Sequence, residues 1–200
     1  DHRQLNASVT GDWRIGRASS VNATLERETV ERDYRERAET WEDRVKLGYV
    51  NRGLVEGTVR VNSEHARRSG SEYVINPYVE FRSIGLGPAP AGGAVPVSSW
   101  FMTIGQFRKF DLADRKQDQV NARVDHALAP GLDGAATLRW KDATFPSEYG
   151  RAGRQRAAAA TADLTWLVGA SGSVYGFYAY ESSRTDQRGV QPDTCVIGSR

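Results

Sequence analysis

Alternation of apolar and polar residues is the feature that most constrains how this 200-residue chain can fold. It occurs in eight segments of roughly ten residues, and a period of two is typical of β-strands whose two faces meet different surroundings. The segments are LNASVTGDW, VNATLERE, RVKLGYV, LVEGTVRVNSE, QVNARVDHAL, LDGAATLRWK, RAAAATADLTW and GSVYGFYAY. The sequence therefore predicts an all-β fold.

The connections between these segments alternate between short and long. The short ones contain Gly or Pro, or are small enough for a tight hairpin, and lie at Arg14–Ala18, Asn51–Gly53, Ala129–Gly131 and Val168–Ser171. The long ones are polar and lie at about Thr29–Asp43, His65–Lys116 and Asp142–Gln155. Short turns on one edge and long loops on the other are typical of an up-and-down antiparallel transmembrane β-barrel.

The longest link leaves the number of strands open. The short turns recur at about 39 residues or a multiple of it, so a further turn is expected near residue 91, within GPAPAGGAVP. Tyr73–Ile84 and Val97–Phe107 would then form an additional hairpin, and one very long loop is the alternative. We therefore expect eight to ten strands of a larger barrel.

A second ambiguity lies between the second and third segments. Val30, Tyr34 and Trp41 are spaced like one face of a helix, and Glu–Arg pairs stand at helical distances. A short helix in a loop would explain this pattern, as would two strand ends that project past a membrane. We favour the projecting strand ends.

Alternation alone does not separate a soluble barrel from a membrane barrel, in which apolar residues face lipid and polar residues face a lumen. Two features favour the membrane form. The polar stripes mix both charge signs, as in Glu56, Arg60 and Glu64. The apolar stripes end in aromatic residues, with Trp13, Tyr49 and Trp166 beside short turns and Trp140 and Tyr180 beside long loops. Two aromatic girdles are expected at membrane interfaces, whereas a soluble all-β module would use the same aromatics to cap a core.

Composition and motifs exclude several functions. The net charge of +2 comes from interspersed Lys, Arg, Asp and Glu, which gives no basic patch for nucleic acid. Cys195 is the single cysteine and does not belong to a C-x-x-C-H motif, so the chain carries no covalent haem. His2, His65 and His126 are far apart in sequence, which makes a metal site improbable. Phosphate-loop and nucleophile-elbow motifs are absent. We predict no enzyme, and no catalytic, cofactor-binding or metal-binding residue.

The stretch from Phe107 to Arg184 carries a specific resemblance. Its elements are RKFDLADR at 108–115, the turn proline Pro130, Lys141-Asp142, Phe145-Pro146-Ser147 and Gly150, followed by YGFYAYESSR at 175–184. In this order, the elements resemble the MtrB/PioB family of decahaem-associated outer-membrane barrels. Upstream, the segments LERETVERDYRERAETWEDRVKLGYVNR and RRSGSEY are similar to the preceding hairpin and loop of that family.

The resemblance implies a function and a location. Barrels of this family sheathe a periplasmic multihaem c-type cytochrome within the outer membrane of a Gram-negative bacterium, so that electrons cross to or from extracellular donors or acceptors such as iron. The implied partners are that cytochrome, an optional extracellular multihaem cytochrome and the lipid bilayer, with haem c carried by the partner. A diffusion porin or substrate channel is the alternative. Residues 1–200 are expected to be one segment of a longer barrel domain, truncated at both ends.

Overall fold

Eight antiparallel strands form a single sheet in the computed structural model, which describes residues 2–33, 35, 37–72, 112–146, 152–169 and 171–187. Each strand pairs with its neighbours in the chain, so the order in the sheet is the order in the sequence. The strands are β1 (His2–Ile15), β2 (Ser19–Arg32), β3 (Glu39–Leu54), β4 (Gly57–Gly70), β5 (Arg115–Ala129), β6 (Leu132–Thr144), β7 (Ala152–Val168) and β8 (Gly172–Gln187). The predicted all-β, up-and-down fold is confirmed.

The register separates the residues into two faces, as the alternation predicted. One cross-strand row on the apolar face consists of Trp13, Val21, Tyr49, Val61, Ala122, Leu138, Ala160 and Tyr180. The adjacent row, on the polar face, consists of Asp12, Asn22, Gly48, Asn62, Asn121, Arg139, Ala159 and Glu181. Large side chains of the apolar face, such as Leu138 and Trp166, are exposed. The apolar face therefore needs an apolar medium rather than a protein core.

The short turns are staggered across the sheet. One row of opposed residues passes through Ile15, Asn51, Val124 and Ala162. This row meets β1 at its last residue, but it meets β7 six residues before that strand ends at Val168. At about 3.4 Å per residue and about 4.8 Å between strands, the drift corresponds to a strand tilt of roughly 35°. This tilt falls at the lower end of the range for membrane barrels.

The apolar face carries a band of nearly constant width. Alternate residues are apolar or glycine over the 11 residues Leu5–Ile15 in β1 and over the 11 residues Ala158–Val168 in β7. Eleven tilted residues measure roughly 28 Å across the band, which is close to the hydrocarbon thickness of a bilayer. On the long-loop side the same face becomes charged, and in β6 the change falls between Trp140 and Asp142. The described residues contain no helix long and apolar enough to cross a membrane.

Three of the four predicted short turns are confirmed, and one was misplaced. The confirmed turns each contain a glycine with positive φ, namely Gly16, Gly131 and Gly169. The turn predicted at Asn51–Gly53 is wrong, because β3 continues to Leu54 and the hairpin turns at Val55 and Glu56. The stretch Asn51-Arg52-Gly53 instead lies at a β-bulge, where the Gly53 N–H donates a hydrogen bond of 2.6 Å to Asn51 Oδ1.

The long links are shorter than predicted. β2 continues to Arg32 and β3 begins at Glu39, so the helix-like stretch forms two projecting strand ends, as we favoured. Likewise β4 continues to Gly70, β6 to Thr144, and β7 begins at Ala152. Beyond the apolar band both faces are polar, so the alternation fades although backbone pairing continues. The proposed additional hairpin at 73–107 lies outside the described residues, and β4 pairs directly with β5.

The turn at Val55 and Glu56 provides a stability test. Glu56 has φ of 57°, a left-handed conformation that costs a residue with a Cβ atom about 1–2 kcal/mol. Glycine removes this cost but loses about 0.5–1 kcal/mol more through its entropy on folding, so we expect Glu56→Gly to raise the free energy of unfolding by about 0.5–1 kcal/mol. Thermal unfolding of the full-length protein in detergent would measure it. Val55→Gly should give a loss, and an equal gain in both variants would contradict the explanation.

Candidate functional surface: the polar face

The polar face is lined by hydrogen-bonding groups along its whole length. Near β1 it is mostly uncharged, and the Thr10 and Thr24 hydroxyls lie 2.9 Å apart across the strands. Gln4 donates a hydrogen bond of 2.6 Å to Glu28. Charges become dense between β2 and β5 on the long-loop side. This face is therefore wettable throughout, and its charge is concentrated at one end.

Arg44 organises the charges of β2 and β3. Its guanidinium contacts Glu26 at 2.7 Å, Glu28 at 2.6 Å and Glu42 at 2.8 Å. Lys46 adds a contact of 2.5 Å with the second oxygen of Glu26. Three carboxylates thus share two cations in one connected set, which we call the Arg44 network. Because Arg44 and the three carboxylates are largely shielded from solvent, their attraction is screened less than that of an exposed pair.

Glu42 connects this network to β5. It is only 5% exposed, and Arg115 approaches it with contacts of 2.7 and 2.9 Å to its two oxygens. Arg68 lies 3.9 Å away on β4. Burial alone would raise the pKa of Glu42, but Arg115, then Arg44 and Arg68, lower it by more, so the net pKa lies below its ordinary value. Glu42 is therefore a fixed negative charge that joins three strands.

Arg37 fastens the neighbouring segments together at the same edge. Its side chain is almost fully buried and donates hydrogen bonds to the carbonyl oxygens of Ser71 at 2.6 Å, Leu112 at 2.8 Å and Gly70 at 3.2 Å. It also forms a 2.7 Å ion pair with Asp114. The link after β2, the end of β4 and the approach to β5 are thereby joined by one guanidinium. We call this arrangement the Arg37 clasp.

The stretch LADR at 112–115 lies beside the clasp and takes part in it. Leu112 is 0% exposed and Ala113 is buried with Ala143 and Phe145 in the small apolar cluster of the described residues. The Ala113 carbonyl oxygen accepts a 3.0 Å hydrogen bond from Arg68. Leu112 and Ala113 are therefore buried, while Asp114 and Arg115 form ion pairs with Arg37 and Glu42. The sequence suggested that 108–115 is entirely loop, and this is corrected at its end, because β5 begins at Arg115.

A second group of charges lies near the short turns. Asp125 accepts from Arg60 and Arg123, each at 2.6 Å, and Asp163 accepts a 2.7 Å hydrogen bond from the Tyr175 hydroxyl. Arg123, Asp125, Asp163 and Tyr175 line an open depression of about 680 Å³. Next to it, the Tyr175 ring stacks on Phe177 with centroids 6.1 Å apart, and both rings are exposed. An aromatic pair thus stands on an otherwise polar wall.

The histidines considered in the sequence do not converge. His65 pairs with Asp118 at 2.7 Å on the apolar face beyond the band, His126 lies opposite Gly57 and Gly134, and His2 lies opposite Arg32 on β1. Within the described ranges no group of three His, Cys, Asp or Glu side chains is placed to hold a metal ion. Cys195 lies outside those ranges.

Sequence reasoning missed the Arg44 network and the Arg37 clasp. The polar stripes were recognised, but which acid meets which base depends on the register between strands. A usable signal was the acidic stripe Glu26–Glu28 beside the stripe Glu42–Arg44–Lys46, since antiparallel pairing of two such segments places opposite charges together. Arg37 gave no comparable signal because its partners are mostly backbone carbonyls.

Comparison with known proteins gives one family. The family model described as outer membrane beta-barrel porin, MtrB/PioB, matches residues 1–194. A search of the curated proteins found no match. The matched range includes all eight strands, both charged groups of the polar face and the clasp.

Proposed function

Since the chain belongs to the MtrB/PioB family of outer membrane beta-barrel porins, we propose that its sheet forms part of a barrel wall that sheathes a periplasmic multihaem c-type cytochrome. The barrel lies in the outer membrane of a Gram-negative bacterium, with its apolar face toward lipid and its polar face toward the lumen. In this proposal residues 1–200 are one segment of the barrel domain. The wall insulates and positions the cytochrome. Haem c in that partner carries the electrons to or from extracellular partners, including an optional extracellular multihaem cytochrome.

The observation that carries the proposal is the internal pairing of charges on the polar face. Glu42 is neutralised by Arg44 and Arg115, and Asp125 by Arg60 and Arg123. A wall whose charges satisfy one another attracts mobile ions weakly, but it can meet the mixed surface of a folded protein without leaving charges unpaired. Such a wall suits a sheath better than it suits an ion-selective channel.

The exposed aromatic pair on β8 supports the same proposal. Phe177 is 73% exposed on the polar face, where water would otherwise cover its ring. Aromatic side chains of this kind are enriched at protein–protein interfaces, because a partner removes a large apolar area from water. The pair lies near the short turns, which face the periplasm in outer-membrane barrels. A periplasmic cytochrome would enter from that side.

Crosslinking in intact cells tests the proposal with a matched control. A photoreactive residue at Phe177 should form a haem-containing crosslinked product, because this position faces the lumen. The same residue at Tyr178, which is 66% exposed on the apolar face, should give none. The full-length barrel should also co-purify with a haem-staining cytochrome. A freely conducting barrel without cytochrome, and without a product at Phe177, would refute the sheath.

A diffusion porin or substrate channel is the second candidate, and the family description as a porin favours it. In that case the depression beside Asp125 and Asp163 would contact passing solutes. Single-channel recording of the purified barrel separates the two functions, since an open pore conducts steadily and a sheathed cytochrome blocks most of the lumen.

A further inference from the structure

The apolar face ends in charged side chains on the long-loop side, and we call these residues the charged rim. One of its rows contains Arg27, Asp43, Arg67, Lys116, Arg154 and Asp186, with the uncharged Thr144 between Lys116 and Arg154. The row nearer the band contributes His65, Asp118, Asp142, Arg156 and Arg184. Because the long loops of outer-membrane barrels are extracellular, the rim lies at the level of the outer leaflet's headgroups.

Most side chains of the rim have a partner of opposite charge. Asp142 is paired with Arg154, and Arg184 lies 3.1 Å from Asp186. Asp118 shares a 2.7 Å hydrogen bond with His65. The Arg–Asp pairs leave little net charge on the residues that form them, so they give no reason to expect a ligand there.

Arg67 and Lys116 differ from the other rim residues. They lie directly opposite each other on β4 and β5, both are exposed, and neither forms a hydrogen bond or ion pair with another described residue. Asp43, which lies opposite Arg67 on β3, pairs instead with Arg27 at 3.5 Å. Like charges directly opposite each other destabilise a sheet. An anion between these two cations would remove that cost.

We propose that Arg67 and Lys116 together bind a headgroup phosphate of an outer-leaflet lipid. Both side chains are long enough to lie along the barrel surface and reach back toward the edge of the apolar band. A guanidinium and an ammonium supply several charge-assisted hydrogen bonds to phosphate oxygens. Cations at this depth attract anionic headgroups with about 1 kcal/mol each, which is about fivefold in affinity per residue. This lipid site is separate from the lumen and from any partner there.

Binding of lipid A to the full-length protein in detergent tests the site. We expect the variant Arg67→Gln/Lys116→Gln to bind lipid A about 25-fold more weakly than the wild type, the product of two fivefold contributions. Dephosphorylated lipid A should bind weakly to both proteins. The matched control is Arg139→Gln/Lys141→Gln, which removes two exposed cations from the polar face of β6 and should leave lipid A binding unchanged.

A second variant separates the site from any defect in folding. Lys116→Glu replaces the like-charge pair with an opposite-charge pair and faces only the uncharged Thr144 on its other side, so it should fold at least as well as the wild type and still lose lipid A binding. Undiminished binding in the Gln or Glu variants would overturn the proposal. It would also be overturned by an equal loss in the polar-face control, or by inorganic phosphate competing as well as lipid A, which would indicate a site for the free ion.

Discussion

Replacing Arg37 with alanine is expected to lower the free energy of unfolding by about 3–5 kcal/mol, the cost of breaking a buried ion pair. The variant leaves Asp114 without its cation and deprives the carbonyl oxygens of Gly70, Ser71 and Leu112 of their donor. Buried acceptors without a donor are costly. Hydrogen exchange of the full-length protein should show the amides near Leu112 losing protection first, followed by a lower thermal midpoint.

The control for Arg37 is Arg27→Ala, which removes an arginine from the same hairpin. Arg27 and Asp43 are both more than half exposed and lie 3.5 Å apart, so this pair should contribute less than about 1 kcal/mol. Arg37→Lys should recover only part of the loss, because an ammonium cannot match the fork of the guanidinium. If Arg27→Ala and Arg37→Ala cost the same, the clasp would not be the structural element described above.

Replacing Glu42 with glutamine should lower the free energy of unfolding by about 3 kcal/mol, because three arginines then lose the acid that they share. The substitution preserves shape, so the loss reports charge rather than a cavity. Unfolding of the full-length protein in detergent by a denaturant series would measure it. Glu31→Gln is the matched control, since Glu31 is 58% exposed and lies 4.0 Å from Arg3, and it should change stability by less than about 1 kcal/mol.

The contribution of Glu42 to stability is expected to depend on pH. Glu42 lies in the projecting part of β3, and its pKa is lowered from an ordinary value of 4.5. A lowered pKa in the folded state means that the contribution is fully present above about pH 4.5 and is lost as the pH falls through the folded-state value. The stability difference between wild type and Glu42→Gln should therefore shrink on acidification below pH 4.5. A difference that stays constant down to pH 3 would contradict the assigned pKa.

The fold followed from the sequence wherever the two faces of a strand meet different surroundings. Alternation such as Val120 against Arg123 identified every strand of the described sheet, because burial in lipid and contact with a polar lumen impose opposite requirements. Alternation gave no signal where both faces are polar. The loop was therefore predicted to begin at Thr29, although β2 continues three residues further to Arg32. Backbone pairing there needs no apolar residue.

The polar face could be predicted as a stripe but not as a set of contacts. That Arg44 meets three acids depends on register, and a bulge shifts the register elsewhere on β3, where that strand pairs with β4. The contacts of Arg37 were harder to predict, because its acceptors on β4 and before β5 are up to 77 residues distant in sequence. The cytochrome proposal has a different origin again, since it comes from family resemblance and not from any contact in the sheet.

The direct pairing of each strand with its chain neighbours also bears on how the size of such a wall is set. At a tilt of roughly 35°, one strand occupies about 6 Å of perimeter, so eight strands supply about 47 Å of circumference. One more hairpin would widen a closed cylinder by about 4 Å in diameter and would leave every contact within this sheet as it is. The diameter of the barrel can thus change by the addition of whole hairpins, without any change in the residues of either face.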